Sequence, residues 1–174
     1  MKKWKELSRE VVFEKYGRAI EKVDFEMPDG TVADFYIKRE NRAVAIFALT
    51  PENDVIAVEE FRPGPMETLL EMPGGYVDDH ESPLDAGKRE LLEETGYQGD
   101  FEIVGECVTD AYSSMIRTVV IARNCIFIGK PEIDEVEFTQ VKLLSLDSFR
   151  EILRSGKMTN IEGGYMALDY LNLL

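Results

Sequence analysis

Long apolar runs are missing from this sequence. None approaches the ~20 residues needed to span a bilayer as a helix. The opening stretch, MKKWKELSRE, has no apolar core of the kind a signal peptide carries, so a cytoplasmic location is expected. Cysteine is scarce: Cys107 and Cys125 lie in apolar, strand-like surroundings without CxxC spacing, and read as reduced core residues. Positive charge is also short. Twenty Lys and Arg face 34 Asp and Glu, a net charge of −14. A field of that sign repels polyanions, so neither nucleic acid nor an anionic membrane is expected as a partner. A small phosphate ligand is still possible if a divalent cation bridges it to acidic side chains.

What is present is enough for one domain with a full core: 174 residues, 44% of them hydrophobic. Residues 1–40 are rich in β-formers on both sides of the turn signal Pro28-Asp29-Gly30, and predict a small β-meander. Alone it has little to bury, which points to packing on the main domain or on a second chain. Residues 41–174 read as the main domain. Arg42–Thr50 is a continuous apolar run suited to a buried strand, followed by strands at Asp54–Arg62 and Glu67–Gly75. A helix is predicted over Pro83–Thr95, with Ser82 as N-cap, Pro83 at the first position and Gly96 ending it. Strands at 101–109, 116–128 and 137–144 and helices at 145–156 and 164–174 complete the pattern, an α/β (α+β) arrangement with a mixed sheet between helical layers.

The helix at 83–95 carries an electrostatic oddity. Glu90, Glu93 and Glu94 share one turn, and like charges at three- and four-residue spacing repel by roughly 0.2–0.5 kcal/mol per pair. At 100° per residue, Glu90 and Glu94 stand one above the other beside the stripe formed by Leu84 and Leu91. Gly87 on the same side leaves room for another backbone, for which the Met72–Gly75 loop is the natural candidate. Either this is a solvated acidic face, or carboxylates and loop carbonyls converge as oxygen ligands for a hard divalent ion.

From Gly75 the string runs Gly75, five residues, Glu81, seven residues, then Arg89-Glu90-Leu91-Leu92-Glu93-Glu94-Thr95-Gly96-Tyr97. It resembles the Nudix box, and all seven of its fixed positions match. At background residue frequencies a chance match is roughly 10^-8 per start position. The resemblance implies a Nudix-type α/β/α sandwich and Mg2+-dependent (or Mn2+-dependent) hydrolysis of a nucleoside diphosphate linked to another moiety. It implies metal ligation by Glu90, Glu94 and the Gly74 carbonyl. Glu93 would be a further ligand or a neighbouring catalytic group. Gly75, Glu81, Arg89 and Gly96 would hold the loop–helix geometry.

Further segments resemble the ADP-ribose (ADP-sugar) pyrophosphatase branch: the meander with its Pro-Asp-Gly turn, Phe61-Arg62-Pro63, and Leu70-Glu71-Met72-Pro73-Gly74-Gly75. This resemblance implies a homodimer that exchanges the meander. It puts Arg62 on or near the substrate phosphate, the alternative being a surface salt bridge, and gives Glu71 a substrate or metal-site role. The general base would be Glu135 or Glu137 in the acidic stretch 131–138. Tyr16 and Arg18 could stack on a base, and Ser113 and Met115, in a loop without the proline usual in that branch, could shape the pocket. The alternatives are a Nudix enzyme acting on an oxidised dGTP, which usually lacks the meander, and a non-catalytic nucleotide-binding regulator, which usually loses box glutamates.

Overall fold

The computed structural model describes residues 2–15, 18–130 and 139–174. It comprises two units: 1–41 together with 108–116, and 42–107 together with 117–174.

The larger unit is built on a strand that is buried on both faces. β4 (Ala43–Leu49) has no exposed residue, and its alternating side chains enter two separate cores. It pairs in parallel with β8 (Ile116–Phe127), placing Ile46 beside Val120 and Phe47 beside Ile121. β5 (Val55–Arg62) runs antiparallel to β4, to β6 (Glu67–Glu71) and to β9 (Thr139–Leu144). β7 (Tyr97–Val108) closes the other side, giving a mixed six-stranded sheet in the order β6-β5-β4-β8-β7, with β9 on β5.

One face packs Val44, Ile46, Ala48 and Val120 against Ala86 and Leu91 of α1 (Pro83–Thr95). The other packs Ala45, Phe47, Val119 and Ile121 against Phe149 and Leu153 of α2 (Leu146–Ser155) and Ala167 and Leu168 of α3 (Ile161–Tyr170). Helix, sheet, helix is therefore the layering of this unit, as the sequence pattern predicts.

Two readings change in detail. α3 begins at Ile161 instead of 164, because Gly163 and Gly164 are internal contact residues: a Cβ on Gly164 would fall 2.6 Å from Leu153. Gly87 faces the side chains of Val120 and Ile46, so it seats α1 on the sheet and does not receive the 72–75 loop.

The smaller unit is the expected meander, β1 (Lys5–Lys15), β2 (Arg18–Glu26) and β3 (Val32–Arg39) in that order. Gly30 donates its N–H to the Met27 carbonyl at 2.9 Å to form the turn. Trp4, Phe25 and Phe35 make edge and tilted ring contacts. Segment 108–116 belongs to this unit: the Lys38 N–H donates to the Tyr112 carbonyl and the Ser114 N–H to that of Lys38, at 2.8 and 2.9 Å. β1 is exposed along its whole length, Leu7, Val11, Val12 and Phe13 included.

Candidate active site on helix α1

The site lies where the chain leaves β6, passes through the 73–77 loop and enters α1. The loop runs alongside β4: the Pro73 carbonyl accepts from the Ile46 N–H and the Gly75 carbonyl from the Val44 N–H, both at 2.8 Å. Carbonyls alternate along an extended segment, so that of Gly74, between them, is turned away from β4. Ser82 caps α1 by accepting from the Asp85 N–H at 3.1 Å, and Gly96 ends it in the left-handed region at φ 74°. These two caps set the ends of the helix, and the packing of Ala86 and Leu91 against the sheet sets its rotation and with it the direction of its glutamates.

Glu90 lies flat against the loop. A side chain on Gly75 would meet its carboxylate oxygen at 2.3 Å, so only glycine permits this approach. Glu94, one turn on, accepts the Gly74 N–H at 3.0 Å. Arg89 gathers the rest. Its Nε and Nη2 hold Glu81 at 3.0 Å each, its Nη1 donates to Glu90 at 2.8 Å and to Glu93 at 3.0 Å, and Nη2 also reaches the Tyr76 carbonyl at 3.0 Å. The guanidinium keeps the Glu81 carboxyl below the usual carboxylate range, and the carboxylates in turn hold the Arg89 proton more firmly.

A second arginine stands on the same face of the sheet. Arg62 Nε and Nη2 form a two-pronged bond with Glu71, 2.7 Å on each prong, and Nη1 donates to Glu60 at 3.0 Å. Glu71 is only 2% exposed. The pairing with Glu71 raises the Arg62 pKa, and Glu94 adds to the effect, which places this pair within the field of the α1 glutamates. Glu60 was not a candidate from sequence. Its signal was available, because residues two apart on a strand share a face, and Val58, Glu60 and Arg62 are such a series.

Gly74, Gly75, Glu81, Arg89, Glu90, Glu93 and Glu94 are thus brought together, with Arg62 and Glu71 beside them. Gly96 serves as the cap. Arg18, Ser113 and Met115 belong to the other unit. There Arg18 lines a cleft of about 480 Å3 with Phe13, Ile20 and Lys38, and Ser113 donates to Glu40 at 2.6 Å. Tyr16, Glu135 and Glu137 lie outside the described residues. Burial pushes the Cys125 thiol up to about 11 and raises that of Cys107, and both are free, as expected of inert core thiols.

Among the described residues no three His, Cys, Asp or Glu side chains converge as a finished metal-ligand set. The physical reason is visible. Arg89 holds three of the carboxylates, and the Gly74 amide takes the fourth. The donors still fit a hard divalent cation, since Glu90, Glu94 and the outward Gly74 carbonyl offer only oxygen.

Comparison with known proteins bears on this geometry. A family model described as the NUDIX domain matches residues 39–161. The chain is 31% identical over 153 residues to the ADP-ribose pyrophosphatase of Bacillus subtilis (strain 168), a match covering 86% of this chain and 82% of that protein. It is 28% identical over 156 residues to the methanol dehydrogenase activator of Bacillus methanolicus, with the same two coverages of 86% and 82%. The crystal structure of an ADP compounds hydrolase superposes with a TM-score of 0.84 at 22% identity, over 99% of this chain and 96% of that one, which shows a common fold. With the box residues assembled at the loop–helix junction and the family model spanning most of the chain, this protein belongs to the Nudix family and is a Nudix hydrolase.

Proposed function

We propose that the protein hydrolyses the diphosphate of ADP-ribose or a related nucleoside diphosphate sugar in the presence of Mg2+ or Mn2+, giving a nucleoside monophosphate and a sugar phosphate. The observation that carries this reading is the placement of Glu90 against Gly75 and of Glu94 on the Gly74 amide, an acidic pocket on a backbone loop. The name and coverage of the Bacillus subtilis relative support the substrate class. So does the presence of a meander before the family domain.

Glu90, Glu94 and the Gly74 carbonyl would hold the divalent cation. When bound, it would offset the diphosphate's charge and make water a better nucleophile at neutral pH. Arg89 fixes the helix relative to the loop, so the carboxylates do not have to be gathered during the reaction. Water adds its oxygen to one phosphorus, the bridging P–O bond breaks, and the other phosphate leaves with the sugar. The water proton passes to a carboxylate, for which Glu135 and Glu137 are the proposed acceptors. Glu93, held by Arg89, is proposed as a further ligand or a neighbouring catalytic group. Tyr16, Arg18, Ser113 and Met115 are proposed to serve the nucleoside end.

The exposed apolar side chains of β1 support the further proposal that the meander, residues 1–40, pairs with a second copy of the chain. Light scattering on a size-exclusion column is expected to give a dimer at micromolar concentration, and a clean monomer would remove that part. The main test is a panel of ADP-ribose, other nucleoside diphosphate sugars, an oxidised dGTP and a dinucleoside polyphosphate, assayed with Mg2+. Release of AMP from ADP-ribose is expected. Turnover of the triphosphate alone would overturn the assignment.

A further inference from the structure

Arg62 is the last residue of β5, a position from which a long side chain can extend into water. Its direct neighbour across the β5–β6 pair is Glu67, but Glu67 bonds to Lys157 at 3.4 Å instead. Arg62 reaches back to Glu71, which is paired with Val58. Val58 and Arg62 are four residues apart, roughly 13 Å along a strand. The arginine is therefore laid along the sheet. Directly paired residues share a face, and so do residues two apart on one strand. Ile56, Val58, Glu60 and Arg62 are such a series, and Ile56 packs in the core beneath α1. Arg62 and Glu71 thus stand on the face that carries the α1 glutamates.

Glu71 also fixes how the guanidinium is turned. Its two oxygens take the Nε and Nη2 donors at 2.7 Å each, and among the described residues its carboxylate bonds to Arg62 alone. With Glu60 on Nη1, one N–H of Nη1 and one of Nη2 meet no acceptor among the described residues. Two N–H bonds on neighbouring nitrogens match two oxygens of a phosphate. A loose arginine samples many rotamers, and ordering them on binding weakens affinity. Held by Glu71, the guanidinium is ordered before substrate arrives. Glu71 itself is only 2% exposed. A carboxylate so buried, with both oxygens on one guanidinium, is poorly placed to meet a ligand directly.

We propose that Glu71 is a positioning residue of the diphosphate site: it acts through Arg62, presenting the two remaining guanidinium donors to a substrate phosphate, and touches neither substrate nor metal. The inference rests on the diphosphate hydrolase reading above. It deepens that reading by giving Glu71 a role through Arg62 in place of a ligand's.

The test is a double-mutant cycle on kcat/KM for ADP-ribose with Mg2+, using Glu71→Gln, Arg62→Gln and the two together. Glu71→Gln keeps one acceptor but sets an amide NH2 against the other Arg62 donor, so the fork opens. It is expected to lower kcat/KM about tenfold alone and less than about twofold in the Arg62→Gln background. Glu71→Asp keeps the charge and both oxygens and is expected to lose only about threefold. Mn2+ titrated calorimetrically without substrate is expected to bind Glu71→Gln within about twofold of wild type. Equal losses in both backgrounds would show that Glu71 acts independently of Arg62, and about tenfold weaker Mn2+ binding would make it a metal ligand. Either result overturns the proposal, as does an unaltered kcat/KM in Glu71→Gln. If a glutamine variant does not fold, as judged by its melting curve, Glu71→Asp or Arg62→Lys takes its place, and the loss must still depend on Arg62. A wild type inert towards every diphosphate overturns the function and this role together, whereas an active wild type with equal losses in both backgrounds overturns only the role.

Discussion

Arg89 and Arg62 make an instructive pair. Both are arginines among glutamates, and both lie within the same unit of the molecule. Arg89 sits on a helix and is saturated, joining three carboxylates from two segments to a loop carbonyl. Arg62 sits at the end of a strand and is held by one buried carboxylate and one outer one, with two N–H donors that meet no acceptor among the described residues. A saturated arginine is scaffold, because any new ligand must displace a bond already made. One with donors left is able to take part in binding. The family signature covers the first and not the second, so Arg62 is the less conspicuous of the two in the sequence.

The largest effect should come from the pocket that Arg89 frames. Glu94→Gln removes a proposed ligand charge while keeping an acceptor for the Gly74 N–H, and is expected to lower Mg2+-dependent turnover at least about 100-fold with little change in melting temperature. Survival of activity within a few-fold would remove Glu94 from the ligand set.

Next is the scaffold itself. Arg89→Ala leaves Glu81, Glu90 and Glu93 without their shared cation, and is expected to cost about 2–3 kcal/mol in urea unfolding. That range sits below the value for fully buried pairs because the Arg89 side chain is 29% exposed.

Arg62→Lys should separate the two arginines most sharply. A lysine cannot make the two-pronged bond to Glu71, so turnover is expected to fall about tenfold while stability changes by only about 1 kcal/mol. An Arg62→Lys variant that loses more stability than Arg89→Ala would reverse the scaffold assignment.

The smallest effect is on pH dependence. Arg89 lowers the Glu81 pKa below its ordinary value of 4.5. A carboxylate whose pKa is depressed on folding stabilises the fold above its unfolded value, and that contribution disappears as pH falls through the folded one. Wild type should therefore melt above Glu81→Gln at neutral pH by no more than about 1 kcal/mol, and the two curves should converge as pH drops below 4.5. Curves that stay parallel would show that the Glu81 charge contributes nothing.

Much of the fold was legible because its signals are local. The continuous apolar run at 42–50 suited a buried strand, and Ser82, Pro83 and Gly96 bracket α1 by cap chemistry alone. The box spacing likewise named Glu90, Glu94 and Arg89. What misled was glycine inside helices, since a missing side chain signals a close approach but not by whom. Gly87 proved to meet the sheet and Gly164 to meet α2.

By itself, then, the sequence determined the family, the central strand, the capped helix and the i, i+4 spacing that puts Glu90 and Glu94 one above the other. Each of these is set by periodicity or by residues adjacent in the chain. Tertiary structure alone decided the partnerships. It joined Arg62 to Glu71 nine residues away, gave Glu60 a place beside them, attached segment 108–116 to a sheet seventy residues earlier, and divided five carboxylates between two arginines. Those contacts follow from strand register and from how α1 seats on the sheet, and neither is written in any single stretch of the chain.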